Sequence, residues 1–160
     1  MGIRDRIKEF RRVRAGDLKP HEHNPRLHPE RQRTAMQAAL NEIGYADVLV
    51  VQQRPDGSLR ILDGHLRADL DPDQQVPCVI VDLDDVEASK FIATHDPLAG
   101  MAEYDQDLLK KLMEGIEFKA PQLGGIIADL LIPLAVQSAN KEPIPDPLDG
   151  PAISQPGDVW

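Results

Sequence analysis

The sequence predicts a small α+β domain, and three observations carry that expectation. Pro55-Asp56-Gly57-Ser58 separates two apolar-rich runs, residues 47–52 and 59–63, which is the signature of a β-hairpin. A third run, residues 76–82, is apolar almost throughout, as a buried strand is. Other segments carry apolar residues at three- and four-residue spacing, the mark of helices packed by one face. The expected architecture is a short mixed sheet with a hairpin and packed helices, then C-terminal helices and a Pro-rich tail.

In chain order, residues 9–18 read as a first strand with Phe10 and Val13 as its apolar positions. Residues 19–29 carry Pro20, Pro25 and Pro29. Each proline disfavours helix at the residue before it, so an extended loop is expected. Pro29 suits the first turn of a helix, where its missing N–H costs nothing. That helix spans residues 30–43, with Ala35, Met36, Ala39, Leu40 and Ile43 on one face and Gly44 as its stop. After the hairpin, residues 65–70 form a short helix ended by Asp71-Pro72-Asp73. Asp84 and Asp85 can cap a helix over residues 86–94. Another helix is expected over 105–116, with Leu108, Leu109, Leu112 and Ile116 on one side, and a short apolar one over 123–131. Beyond Asn140, five prolines and two glycines in twenty residues make a linker composition. The organisation expected is a basic arm (1–9), the α+β domain (10–118), a helical extension (119–140) and the tail (141–160).

Of 160 residues, 41% are apolar and 28% charged, which suits one soluble globular domain. No apolar run approaches the ~18 residues of a spanning helix; the best candidate, 126–136, is cut by Asp129 and Pro133. The start, MGIRDRIKEFRRVRAG, lacks the apolar stretch of a secretory signal. The single Cys78 excludes a disulfide framework and a cysteine-rich zinc module. A cytoplasmic protein is expected. The net charge of −9 is unevenly spread: up to Ala35 ten Lys/Arg face five Asp/Glu, and thereafter eight face twenty-two. A basic opening on an acidic body directs phosphates to one face, so DNA is a candidate partner through residues 4–14; a solvated arm is the plain alternative.

The chemistry concentrates in two segments. Asp63-Gly64-His65-Leu66-Arg67 sits at the junction of a strand and a helix. Glycine there permits close backbone approach, unpaired N–H groups of a first helical turn favour an anion, and Arg67 offers a planar fork for phosphate oxygens. Asp63 can hold a metal ion, orient a ribose hydroxyl or pair with Arg67. The plain alternative is a structural joint with a surface ion pair. The second segment, His21-Glu22-His23-Asn24-Pro25-Arg26, with His28 beyond, offers imidazoles at alternate positions. Without cysteine or an i,i+4 histidine pair it is a weak zinc signal. A second phosphate contact through Arg26 fits it better. Cys78 reads as a small buried hydrophobe. Asp82, Asp84 and Asp85 read as a solvated cap, and Met101 and Tyr104 as core edge.

Together these segments resemble the ParB/sulfiredoxin superfamily. The ordered matches are Leu18-Lys19-Pro20-His21, Asn24-Pro25-Arg26, Asp63-Gly64-His65-Leu66-Arg67 and Val76-Pro77-Cys78-Val79-Ile80-Val81-Asp82, within roughly Phe10 to Ile116. The resemblance implies the ParB N-terminal α+β fold, with Asn24, Arg26, Gly64, His65 and Arg67 binding nucleotide phosphates. The leading reading is a nucleotide-binding domain in a DNA-associated setting, with Asp63 assisting through a metal or the ribose. A second reading is enzymatic, a nucleoside triphosphate with Mg²⁺ in phosphoryl transfer or hydrolysis, with Glu22 or Asp63 activating an acceptor or water.

Where ParB proteins carry Gly-Glu-Arg-Arg, this chain has Gly64-His65-Leu66-Arg67, and nothing after Phe118 reads as a helix-turn-helix. Sulfiredoxins need a cysteine inside the glycine box, and Cys78 lies elsewhere. The Asp-Gly-His-x-Arg form is also similar to free-serine kinases of the superfamily, which would cast Glu22 as a catalytic base. The chain looks most like the ParB-like domains placed ahead of DNA methyltransferases in phage and mobile elements. Gln155-Pro156-Gly157-Asp158-Val159-Trp160 resembles the phrase that opens a methyltransferase domain. A small-molecule kinase, a ParB-like nuclease and a non-catalytic interaction module remain the alternatives, and a homodimer is compatible with all of them.

Overall fold

The computed structural model describes residues 2–131. The expected tail (141–160), the end of the helical extension and the 155–160 phrase lie outside them. Four strands form one sheet: β1 (Ile7–Arg14), β2 (Leu49–Gln53), β3 (Leu59–Asp63) and β4 (Gln75–Val81), in the order β1-β4-β2-β3. β4 runs antiparallel to β1 and parallel to β2, and β2 pairs antiparallel with β3. The all-apolar Val-Pro-Cys-Val-Ile-Val stretch thus sits inside the sheet, where both faces are covered. The hairpin turn closes with Arg54 N–H donating to Ser58 O at 2.9 Å, and Gly57 takes a φ of +83°.

The helices are α1 (Glu30–Ile43), α2 (His65–Leu70), α3 (Asp85–Ala99), α4 (Gln106–Met113) and α5 (Pro121–Leu131), with a single 3-10 turn at Ala15–Asp17 after β1. One sheet face packs Leu49, Val51, Ile61, Val76, Cys78 and Ile80 against Ala15, Leu18 and Ala68. The other packs Leu62 and Val81 against Ala88, Phe91 and Ile92 of α3. At ~25 cal/mol per Å² of apolar surface buried, these two clusters supply the main drive for folding. Cys78 is fully buried, and burial pushes its thiol up to about 11, so it is the inert hydrophobe expected.

Several elements depart from expectation, each for a physical reason. β1 begins at Ile7 and ends at Arg14, so residues expected in a free arm are sheet. The charges of that segment are consumed by the acidic body. Arg6 donates to Asp82 at 2.7 Å and Glu87 at 2.6 Å, Lys8 meets Asp82 at 2.8 Å, and Arg4 meets Glu87 at 3.4 Å. Arg11 pairs with Glu9, and Arg14 with Asp17 and Asp73. Only Arg12 of this segment has no ion pair among the described residues. Pro29 takes the cap position of α1 rather than its first turn. Ile43 of α1, and Leu108, Leu112 and Ile116 in and after α4, are exposed; Ala35 and Leu109 are the buried positions. Met101 and Tyr104 are exposed as well.

The most consequential departure is the length of α3. Asp84 and Glu87 form a reciprocal capping box, Glu87 N–H to Asp84 Oδ1 at 2.8 Å and Asp84 N–H to Glu87 Oε2 at 3.0 Å. The helix then continues past Thr94 and through Pro97 to Ala99. The proline removes one hydrogen bond near the end of the helix, and Gly100 N–H still reaches Asp96 O at 2.8 Å. This extra turn carries His95 and Asp96 toward the end of β3.

Candidate functional site

Asp63 ends β3 and Arg67 lies in α2, so Gly64 must turn the chain between them. It does so at φ +94°, a conformation that favours glycine. A Cβ at this position would lie 2.6 Å from Leu49 Cγ and 3.2 Å from Arg67 Nη2. The glycine is therefore demanded by backbone conformation and packing together.

Around this joint opens a cavity of about 300 Å³. Asn24, Arg26 and His28 enter from the proline loop, Gln32 from the start of α1, Asp63 to Arg67 from the joint, and His95 and Asp96 from α3. Two segments some forty residues apart in sequence thus meet, and α3 is a third wall that the sequence did not reveal. A larger cavity, about 620 Å³, lies between α1 and the start of α5 and holds none of the expected residues.

The cavity's cations are already engaged. Arg67 is buried; its Nη2 donates to Asp63 Oδ2 at 3.0 Å and Val48 O at 3.1 Å, and its Nη1 donates to Asp47. Burial works to raise the Asp47 carboxyl, but hydrogen bonds from Arg67 and the Val48 N–H outweigh it and hold the carboxyl below its ordinary range. Arg26 Nε meets Asp96 Oδ2 at 2.9 Å, tying the proline loop to α3. Asn24 shapes that loop by accepting the Arg26 N–H at 3.2 Å.

His65 is buried and accepts the His21 N–H on Nε2 at 3.2 Å, which leaves its own proton on Nδ1. His21, also buried, accepts the His23 N–H on Nδ1 at 3.1 Å. Burial depresses both imidazoles, assisted in His21 by the Arg60 charge, so both stay neutral at pH 7. The two histidines pin the proline loop to α2. His28 Nδ1 meets Gln32 Oε1 at 3.0 Å, while its Nε2 is buried without a partner among the described residues.

Glu22 does not line the cavity. Its carboxylate meets Arg60 Nη1 at 2.8 Å. Arg60 is buried in β3 and also donates to Gln52 Oε1 at 2.9 Å and to Asp85. The sequence signal for this network was an arginine inside the apolar run Leu59-Arg60-Ile61-Leu62. α2 has only six residues, so the cavity's positive charge comes from Arg26 and Arg67 rather than from a helix terminus. Asp63, His95 and Asp96 offer ligand atoms that all lie within 4.8 Å of one another, a spacing suited to one metal ion.

The class of domain follows from superposition. The chain resembles the C-terminally truncated chromosome-partitioning protein ParB of Caulobacter crescentus complexed with CTP-γ-S, with TM-score 0.58 and 21% identity over 82% of this chain and 83% of that one. The fold is thus the small α+β fold of ParB-like domains, as the sequence implied. The same ParB complexed to the centromeric parS site matches with TM-score 0.42 and 20% identity over 81% of this chain and 76% of that one. No family model matches this sequence, and no curated protein does. No helix among the described residues is long and apolar enough to cross a membrane.

Proposed function

We propose that this domain binds a nucleoside triphosphate with Mg²⁺ in the cavity between the proline loop, the Gly64 joint and α3. The observation that carries the reading is the convergence of Asn24, Arg26, Asp63, Gly64, His65 and Arg67 on one cavity. The cavity belongs to a fold whose solved relative is complexed with CTP-γ-S. Arg26 and Arg67 are the phosphate ligands: planar guanidiniums match phosphate oxygens two at a time. Gly64 keeps the wall at backbone height. Neutral His65 acts by holding the proline loop against α2.

The donor set fits Mg²⁺. Asp63 and Asp96 supply hard carboxylate oxygens, and His95 completes the group. Mg²⁺ is ordinarily held by one or two carboxylates plus substrate phosphates and water. When bound, it would neutralise phosphate charge and orient the triphosphate for attack by water. If Asp96 and His95 hold the ion, Asp63 is left as the candidate base that hydrolysis would need. Glu22 is committed to Arg60 outside the cavity, which disfavours the kinase reading that relied on it.

The setting in the cell is proposed as DNA-associated, in the manner of ParB-like domains linked to DNA modification in phage or mobile elements. The basic segment contributes little to it, because five of its six cations are paired with the domain's own carboxylates. That distribution also disfavours a nuclease, which needs open positive charge beside its metal. The proposal is tested by titrating each of the four ribonucleoside triphosphates, with Mg²⁺, into the protein by calorimetry. CTP is the first expectation; no heat with any of them overturns the reading and leaves a non-catalytic interaction module.

A further inference from the structure

We infer that the exposed ridge formed by α4 and its flanking residues is a docking surface for an amphipathic helix of a protein partner, one whose apolar stripe is bordered by lysine or arginine. The inference is independent of the nucleotide reading, since none of these residues lines the Gly64 cavity.

Tyr104, Leu108, Leu112 and Ile116 recur at every fourth position. Side chains four apart on a helix form one ridge. α4 supplies the middle of it, with Tyr104 just before the Asp105 cap and Ile116 just after Gly115. All four are exposed, Leu108 at 64% and Leu112 at 66%. The packing of α4 leaves them so. Leu109 is buried and Met113, four residues on, is half-buried; that pair lies about 100° further round the helix. A surface helix that buries one stripe ordinarily carries polar residues opposite it; α4 carries leucines on a second side. The ridge is also held in place. Asp105 Oδ1 accepts the N–H groups of Asp107 and Leu108, each at 3.0 Å, and the Glu114 N–H donates to Lys110 O at 3.1 Å. Leu98 and Met101, at the end of α3 and just after it, are exposed as well. Apolar exposure on this scale, rimmed by polar residues, marks an interaction surface.

Charge decides what covers it. Between residues 103 and 117 five carboxylates face two lysines, Lys110 and Lys111, a net charge of −3. None of these groups has an ion-pair partner among the described residues, in contrast to the cations of β1. A second copy of the chain brings the same excess of acid to the contact, and like charges across an interface oppose association. A helix with lysine or arginine beside its apolar stripe supplies the missing sign. Its apolar side chains then seat beside the ridge of α4 as ridges pack into grooves.

The experiment uses the whole 160-residue chain. The probe is a fluorescein-labelled peptide of about 18 residues built from leucine and lysine, its leucines three and four apart so that it forms an amphipathic helix. The controls are the same composition scrambled and the same pattern with glutamate for lysine. Fluorescence anisotropy should show micromolar binding of the first peptide and at least about tenfold weaker binding of both controls. Leu108→Ser with Leu112→Ser should cost at least about tenfold in affinity at unchanged melting temperature, both side chains being exposed. Asp107→Lys with Glu114→Lys should turn the preference toward the glutamate peptide. Equal binding of the scrambled peptide, or unchanged binding by the serine variant, would overturn the docking surface. So would a wild-type dimer that the serine variant makes monomeric, since the ridge then belongs to a second copy. Tighter peptide binding by Leu134→Ser with Val136→Ser would overturn it too, giving the ridge to the chain's own C-terminal segment.

Discussion

Arg67 reaches back one helical turn to Asp63, its Nη2 3.0 Å from Oδ2, and the same nitrogen lies 3.1 Å from the Val48 carbonyl. One side chain therefore both closes the Gly64 joint and stocks the cavity with positive charge. Its replacement has two consequences. Arg67→Ala removes charge-assisted hydrogen bonds and leaves the partly buried Val48 carbonyl and two carboxylates without this donor, at a cost of about 2 kcal/mol. Thermal denaturation should show that loss, and Arg67→Lys should recover only part of it because the fork is gone. An unchanged melting temperature for the alanine variant would mean that the guanidinium serves the ligand alone.

Gly64→Ala is expected to be costly without touching any charge. The left-handed backbone disfavours an L side chain by about 1–2 kcal/mol, and the new Cβ would sit 2.6 Å from the fully buried Leu49 side chain. Chemical denaturation should give a lower midpoint than for Gly57→Ala, whose Cβ would meet nothing within 4 Å although its φ of +83° is similar. Equal losses at the two glycines would remove the packing part of this account.

Acid should loosen the junction between the N-terminal strand and α3. Hydrogen bonds from Lys8 and Arg6 hold the Asp82 carboxyl at about 2, and those from Arg6 and the Asp84 N–H hold Glu87 at about 2. Both lie below their ordinary values of 3.8 and 4.5. The stability they contribute is whole above about pH 4.5 and is lost as pH falls toward 2. Melting temperature followed from pH 5 to pH 2 should therefore drop, and drop less steeply in Arg6→Gln. Parallel curves for the two proteins would show that Arg6 is not the cause.

Much of this architecture was legible from local rules. The Pro55–Ser58 turn, the Gly44 stop, the capping aspartate Asp84 and the Gly64 joint all follow from the conformational demands of single residues. What was not legible depends on distant partners. The Arg4–Arg14 segment read as an open basic arm because Asp82 and Glu87 lie more than sixty residues away in sequence. Arg67 and Arg26 read as open phosphate ligands for the same reason, with Asp47 and Asp96 unseen beside them. His95 and Asp96 escaped notice because Pro97 signalled the end of a helix that in fact continues through it. Glu22 looked like a pocket residue by its closeness to Asn24, but the buried Arg60 draws it away.

DNA affinity, if the domain has it, should respond weakly to salt. Among Arg4, Arg6, Lys8, Arg11, Arg12 and Arg14 only Arg12 lacks a carboxylate partner among the described residues. Release of about one counterion predicts a slope near −1 for log K against log salt, against about −5 for six free cations. Fluorescence anisotropy of labelled duplex DNA between 50 and 200 mM salt measures it. A steep slope that Arg12→Ala leaves unchanged would show that the ion pairs open on DNA.

Arg26 gives the most direct test of whether the cavity around Gly64 holds a nucleoside triphosphate. Its side chain is about half exposed, with Asp96 its ion-pair partner, so Arg26→Ala should leave the melting temperature nearly unchanged, unlike Arg67→Ala. A charge-assisted arginine–phosphate contact contributes about 1.5–3 kcal/mol, which is roughly a 10- to 100-fold change in affinity. Calorimetric titration of CTP with Mg²⁺ into the wild type and Arg26→Ala should therefore show binding in the first and a 10- to 100-fold loss in the second, at matched thermal stability. Equal affinity in the two proteins, or no binding of CTP to the wild type, contradicts that reading of the cavity.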